Sequence, residues 1–200
     1  DPNDPPNVTV RFLTDQAVAV MTPQERREAL ARPVLKLAQT ALFRESDFVP
    51  DVRVSSTTPR KRIYSTCVSV DEVSVTLPID RLKTVISVEA REDFACYQQT
   101  VTHEKRHREF AWIALKAIAT QVEKRLGDQP GKFNARPLAG GAGVETQKQE
   151  VDEIIKSIVR RELDDLEGQD ERFDFLERQA VEAVCGAVRG RIDPAATIAL

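Results

Sequence analysis

Apolar residues alternate with polar ones along much of the first 90 positions and recur every three or four positions over most of the remainder. A period of two predicts half-buried strands, and a period near 3.6 predicts amphipathic helices. Strands are predicted in NVTVRFL (7–13), DVRVSS (51–56), RIYSTCVSV (62–70), VSVTLPI (73–79) and KTVISVEAR (83–91). The four strands between residues 51 and 91 are expected to form one small antiparallel sheet. The predicted fold class is therefore α+β, with this sheet packed on helices.

Four helices are predicted. The first spans 22–46, begins with Thr22 and Glu25 as a capping box, and is expected to kink at Pro33. The second begins near Thr100 or Thr102 and ends at Gly127. The last two have apolar faces over 151–166 and 173–187.

The whole chain, 1–200, is predicted to be a single domain with a flexible leader at 1–7 and a long loop at 127–145. That loop, GDQPGKFNARPLAGGAGVE, is rich in glycine and proline. A chain of 200 residues with 41% hydrophobic residues can bury a sizeable core, and no apolar run approaches the length of a membrane helix. A net charge of -3 gives no electrostatic footprint for nucleic acid. We therefore expect neither a membrane span nor a nucleic-acid partner, and the oligomeric state is left open.

The only two histidines of the chain lie four positions apart, in His103-Glu104-Lys105-Arg106-His107. In a helix this spacing places both imidazole rings on one face, one turn apart, where they can reach a single metal ion. Glu104 points about a quarter-turn away, close enough to touch a water on the metal without binding the metal itself. The spacing predicts His103 and His107 as metal ligands and Glu104 as a general base.

This His-Glu-x-x-His pattern is the signature of zincin metallopeptidases, and the sequence resembles that group at these five positions. It is also similar to the predicted secreted zinc-dependent proteases of bacteria. The segments CVSVDEVSVTLPID, ACYQQTVTHEKRH and RFDFLERQA occupy corresponding places across roughly residues 60 to 185. The resemblance implies a zincin-like active-site helix, a bound Zn²⁺ and a peptide or protein substrate. It also implies that KTVISVEAR is the edge strand that aligns an extended substrate.

In the implied mechanism, zinc acidifies a water molecule, Glu104 takes the proton, and the hydroxide attacks a carbonyl group polarised by the metal. Two alternatives remain. One is a binding or scaffold domain in which the motif is vestigial or accidental. The other is a structural metal site, which would need a fourth protein ligand.

A catalytic zinc takes three protein ligands, and without a third histidine the last must be a carboxylate or a cysteine. Glu177 and Glu162 each fall on an apolar helix face, where an unpaired charge is costly. Glu177 is preferred because Glu-x-x-Ala, completed by Ala180, resembles the third-ligand helix of several glutamate-type zincins. Glu162 is the alternative if its helix forms an antiparallel hairpin with the motif helix. Asp174 is the next candidate.

The three cysteines bear on the compartment. Cys67 and Cys96 are predicted to lie in β-like segments and to form a disulfide, with Cys185 as a free thiol in a helix; three reduced thiols are the alternative. The chain starts at Asp1 without methionine, as it would after removal of a signal peptide or after trimming. Together with the resemblance, these features favour an extracytoplasmic location, periplasmic or secreted.

Overall fold

In a computed structural model, the chain is described over residues 7–12, 19–30, 37–41, 43–48, 50–57, 66–78, 82–127, 136–138 and 142–191. The helices are α1 (Pro23–Leu30), α2 (Val88–Glu92), α3 (Phe94–Gly127) and α4 (Ala142–Arg191). The strands are β1 (Asn7–Phe12), β2 (Ala19–Val20), β3 (Ala38–Ala41), β4 (Asp51–Thr57), β5 (Thr66–Leu77), β6 (Lys83–Ile86) and β7 (Arg136–Leu138). The predicted α+β class is confirmed.

The residues group into two compact units. The first contains Asp1–Leu13, Arg44–Pro78 and Ala114–Asp165, and the second contains Thr14–Phe43, Ile79–Ile113 and Leu166–Leu200. The prediction of one domain over 1–200 stays a prediction. Residues 1–6 of the predicted leader lie outside the described residues. The predicted loop at 127–145 contains the short strand β7, and α4 already begins at Ala142.

The first unit contains a sheet in which β5 lies between β1 and β4 and also pairs with β7. β1 runs parallel to β5, whereas β4 and β7 run antiparallel to it. Two predicted strands, 62–70 and 73–79, merge into β5, whose apolar side chains Val73, Val75 and Leu77 are buried on alternate positions. Val70 is buried as well, so the alternation shifts by one position between Val70 and Val73, where the pairing with β4 has a register shift between Arg53 and Val54.

The second unit contains a three-stranded sheet in the order β2-β6-β3, with β2 parallel and β3 antiparallel to β6. The prediction of a single antiparallel sheet is therefore wrong: the described residues form two sheets, and both are mixed. The predicted edge strand KTVISVEAR is wrong as well, because β6 is the central strand of its sheet. Its second half forms α2 instead, where the Ser87 side chain accepts a hydrogen bond from Ala90 N at 3.2 Å.

The first predicted helix is correct only in its first part. Its capping box is confirmed, since Thr22 N donates to Glu25 Oε2 at 2.8 Å and Thr22 Oγ1 accepts from Glu25 N at 3.2 Å. The helix ends at Leu30, and residues 38–41 form strand β3 rather than helix. Pro33 lies outside the described residues. Pairing with β6 stabilises a strand over AQTA that local propensity does not favour.

The two long helices carry the residues of the predicted site. α3 ends at Gly127 as predicted but begins at Phe94, because Asp93 Oδ1 accepts a hydrogen bond from Cys96 N at 3.1 Å. The prediction that Thr100 or Thr102 caps it is wrong. α4 is one helix of 50 residues where two were predicted, and Gly168 lies within it. No helix in the described ranges is long and apolar enough to cross a membrane.

Within the second unit, the ends of α3 and α4 pack against the small sheet and are joined by a disulfide. The cluster of buried residues consists of Leu37, Ala38, Ile86, Ala90, Cys96, Cys185 and Val188. Cys96 and Cys185 form the bridge, with a Cα–Cα distance of 4.9 Å. The predicted Cys67–Cys96 pairing is therefore wrong, and so is the prediction of a free Cys185. The error arose because Cys96 lies in α3, not in a strand.

Candidate metal centre

The site lies between two helical segments of the second unit. His103, Glu104 and His107 lie on α3, and Asp170 and Asp174 lie on α4. His103 and His107 are four residues apart, as are Asp170 and Asp174, and this spacing brings the two side chains of each pair onto one helix face. His107 and Glu104 are buried, at 8% and 6% exposure, and His103 is half-buried. The two histidines therefore lie on one largely buried face of α3.

Three atoms converge at the centre of this site. His103 Nε2 and His107 Nε2 lie 3.1 Å apart, and Asp174 Oδ1 lies 3.1 Å from the first and 3.0 Å from the second. The three distances are nearly equal, so the atoms form an almost equilateral triangle. With zinc–ligand bonds near 2.0–2.2 Å, neighbouring ligand atoms of a tetrahedral zinc lie roughly 3.3 Å apart. The triangle is therefore close to one face of a zinc coordination tetrahedron.

The other nitrogen of His107 has a partner of its own. His107 Nδ1 lies 2.9 Å from Asp170 Oδ1 and donates a hydrogen bond to it. This contact keeps the proton on Nδ1 and leaves Nε2 as the nitrogen that faces the triangle. A carboxylate behind a metal-binding histidine fixes both its tautomer and its orientation.

The charges around His107 decide its protonation. Burial disfavours the imidazolium form, but hydrogen bonds to Asp170 and Asp174 outweigh burial and raise the pKa of His107 from 6.5 to about 10. Hydrogen bonds from His103 and His107 hold the pKa of Asp174 well below its usual range, against the effect of burial. The centre is thus a cluster of anionic carboxylates around imidazole rings, which favours a bound cation.

A phenylalanine on α4 orients both imidazole rings. The Phe173 ring stacks on His103 with centroids 4.9 Å apart, and its edge contacts His107 at 5.3 Å. Phe110 in turn contacts Phe173 at 5.6 Å. Aromatic pairs of this geometry restrict the rings to one orientation. His103 Nδ1 is buried without a hydrogen-bond partner.

The predicted base Glu104 faces the sheet of the same unit. Its Oε2 accepts a hydrogen bond of 2.6 Å from the hydroxyl of Thr40 on β3. Thr40 Oγ1 lies 2.9 Å from Thr84 Oγ1 on β6. Glu104 also contributes to the positive shift in the pKa of His107, so its charge acts on the metal centre.

The structure brings together His103 and His107 as predicted, but the carboxylate beside them is that of Asp174. In the described part of the chain, these three residues form the group whose ligand atoms lie within 4.8 Å of one another. The preferred third ligand, Glu177, is half-buried one turn beyond Asp174 and is not in this group. Glu162 is not in it either, and its carboxylate pairs with the Arg161 guanidinium at 2.6 Å.

Sequence reasoning missed Asp170, Phe173 as a partner of the histidines, and the two threonines. The motif D-x-x-F-D over 170–174 carried a usable signal, because carboxylates four apart on a helix match the spacing of the two histidines. Thr40 could not be found, since its segment was assigned to a helix.

The donor set fits a zinc ion. Two imidazole nitrogens and one carboxylate oxygen are the ligands of many catalytic zinc sites. A proton stays bonded to one atom of the triangle and is directed mainly at one of the other two as a hydrogen bond. A metal cation can bind all three atoms at once. A cation therefore satisfies the triangle better than protons do.

Comparisons with protein-family models, curated proteins and solved structures gave no match to this chain.

Proposed function

We propose that the protein is a zinc-dependent peptidase in which His103, His107 and Asp174 hold the metal. The observation that carries the proposal is the triangle of His103 Nε2, His107 Nε2 and Asp174 Oδ1, with edges of 3.0 to 3.1 Å. When bound, zinc lowers the pKa of water and polarises a carbonyl group. The chain supplies the ligands, their orientation and a base.

Each residue has a separate role. Asp170 holds His107 in the tautomer that presents Nε2, and Phe173 fixes the planes of both rings. Glu104 takes a proton from water as the oxygen bonds to the substrate carbonyl carbon. It then delivers that proton to the amide nitrogen as the carbon–nitrogen bond breaks. This sequence balances the proton without any further group.

An extended peptide is the substrate class that suits the sheet. β3 is at the end of the strand order in the described residues, and it carries the hydroxyl bonded to Glu104. A terminal strand offers backbone groups to a peptide that adds as a further strand. The disulfide supports an oxidising, extracytoplasmic compartment as part of the proposal.

A structural metal site is less well supported. It would need a fourth protein ligand. Asp170 is a further carboxylate at the site, and its Oδ1 accepts a hydrogen bond from His107 Nδ1. A site with three ligands leaves a position for water or substrate, which favours catalysis.

The proposal is tested by measuring the zinc content of the purified protein and its hydrolysis of a denatured protein substrate on the same samples. The wild type should bind close to one zinc per chain, and His103→Ala and His107→Ala should each lose it. Glu104→Ala should keep the zinc and lose hydrolysis of a denatured protein substrate. Lys105→Ala, an exposed position within the motif, serves as the matched control and should keep both.

Two results would contradict the proposal. Zinc retained by both histidine variants would remove the metal assignment. A zinc-loaded wild type without hydrolytic activity, equal to Glu104→Ala in every assay, would leave the binding or scaffold alternative.

A further inference from the structure

Two threonine hydroxyls on neighbouring strands lead to the carboxylate of Glu104. Thr40 Oγ1 lies 2.6 Å from Glu104 Oε2, and Thr84 Oγ1 lies 2.9 Å from Thr40 Oγ1. Thr84 is 1% exposed and Glu104 is 6% exposed, whereas Thr40 between them is half-buried, so water has little access to the two ends of this chain of contacts.

The direction of these hydrogen bonds follows from counting protons. The Thr40 hydroxyl donates its single proton to Glu104 Oε2. The proton between the two hydroxyls must then come from Thr84. Thr84 therefore donates to Thr40, and Thr40 donates to Glu104.

The sheet determines where the two hydroxyls meet. Thr40 and Thr84 are direct partners in the antiparallel pairing of β3 with β6. Directly opposed residues place their side chains on the same face of a sheet. Valine has nearly the shape of threonine and would suit the buried position of Thr84 or the half-buried position of Thr40, but it could not provide a donor for a buried carboxylate.

We infer that Thr40, supported by Thr84, is a positioning residue that fixes the carboxylate of Glu104 for proton transfer at the metal centre. Thr40 holds Oε2 on β3, which leaves the other carboxylate oxygen to take a proton. The inference rests on the proposed function.

The test uses protein loaded with Co²⁺ and acetohydroxamate as the probe, followed by the visible absorption of cobalt. Acetohydroxamate binds the open positions of the metal and carries an acidic proton that a neighbouring carboxylate can accept. Thr40→Val has nearly the shape of threonine without its hydroxyl, and it should weaken the binding roughly tenfold, the value of one charge-assisted hydrogen bond. Thr40→Ser keeps the hydroxyl and should restore the binding.

A double-mutant comparison separates positioning from a general structural effect. In a Glu104→Ala background, Thr40→Val should cause no further loss, because it acts only through that carboxylate. Melting temperature and cobalt content are measured for every variant. If Thr40→Val does not hold cobalt, Thr84→Val takes its place, because it removes the donor to Thr40. Thr84→Val should then weaken acetohydroxamate binding relative to the wild type, and it should cause no further loss in the Glu104→Ala background.

Wild-type affinity in cobalt-loaded Thr40→Val would overturn the inference, and so would an equal loss with and without Glu104. In both cases the metal centre itself would stand. Failure of the cobalt-loaded wild type to bind acetohydroxamate would instead contradict the proposed function, and the inference would fall with it.

Discussion

His107 contacts a different carboxylate with each of its ring nitrogens. Asp170 lies at Nδ1 and Asp174 at Nε2, at 2.9 and 3.0 Å. In the metal-free protein these contacts hold the ring protonated, because they outweigh the cost of burying its charge and raise its pKa to about 10. The same carboxylates suit a metal cation in place of the proton at Nε2.

The first prediction separates Asp174 from Glu177, two of the three third-ligand candidates on α4. Asp174→Asn should weaken zinc binding by more than roughly 100-fold, beyond the effect of losing an outer-shell partner, because a negatively charged ligand is removed. Glu177→Gln is the matched control one turn away and should leave the affinity nearly unchanged. Competition with a chromophoric chelator measures both. The opposite order of affinities would return the assignment to Glu177.

At the scale of elements, the long helix α4 contains a glycine that no contact requires. Gly168 is exposed, and a Cβ built on it would meet no atom within 4 Å. Glycine in a helix interior costs about 0.5–1 kcal/mol relative to alanine, because its backbone loses more freedom on folding.

Gly168→Ala should therefore raise the free energy of unfolding by about 0.5–1 kcal/mol, measured by urea denaturation. Gly186→Ala offers a contrast on the same helix, since its Cβ would lie 3.2 Å from Glu182 Oε1 and that flexible side chain must shift. Its gain should be smaller. Destabilisation by Gly168→Ala would mean that α4 needs flexibility at this point.

A carboxylate ties the start of α1 to strand β6. Hydrogen bonds from the backbone and side chain of Thr22, followed by the ion pair with Lys83 at 3.1 Å, lower the pKa of Glu25. A folded-state pKa below the unfolded value gives stability that is present above pH of about 4.3 and is lost as the pH falls further.

Glu25→Gln should cost about 0.5 kcal/mol at pH 7, a small value because solvent screens this exposed pair. The difference between wild type and variant should shrink as the pH is lowered from 6 to 3, since protonation neutralises Glu25 in the wild type. Urea denaturation across this range measures the difference. A difference that is constant with pH would show that charge plays no part.

The elements also show what the sequence could predict. The repeat of apolar residues predicted most of α3, including its end at Gly127. The spacing of four residues between the two histidines then placed both rings on one face of that helix, with Glu104 beside them. β3 was missed because AQTA has little strand propensity and depends on pairing with β6. Since Thr40 lies on β3, its contact with Glu104 could not be foreseen. The choice among Asp174, Glu177 and Glu162 depended on helix packing, which periodicity does not fix.

At the scale of the whole molecule, the longest-range covalent link described is the disulfide between Cys96 and Cys185, which are 89 residues apart. Closing a loop of that size removes conformational entropy from the unfolded chain, worth roughly 4–5 kcal/mol in the loop-entropy account. Both cysteines lie on the helices that carry the proposed metal ligands. The bridge therefore limits how far these helix segments can separate when the chain loosens.

The last prediction identifies the cysteine left unbridged. The chain has three cysteines, so a bridge between Cys96 and Cys185 leaves the thiol of Cys67. Alkylation of denatured protein should label Cys67 alone before reduction and all three cysteines afterwards, as located by mass spectrometry of peptides. Cys67→Ser should abolish the labelling seen before reduction. It should not change the labelling of Cys96 and Cys185 after reduction. Label on Cys185 before reduction would instead support a Cys67–Cys96 bridge, and label on all three from the start would mean that the protein is reduced. The support for an oxidising compartment comes from the disulfide. Labelling of all three cysteines before reduction would therefore remove that support as well.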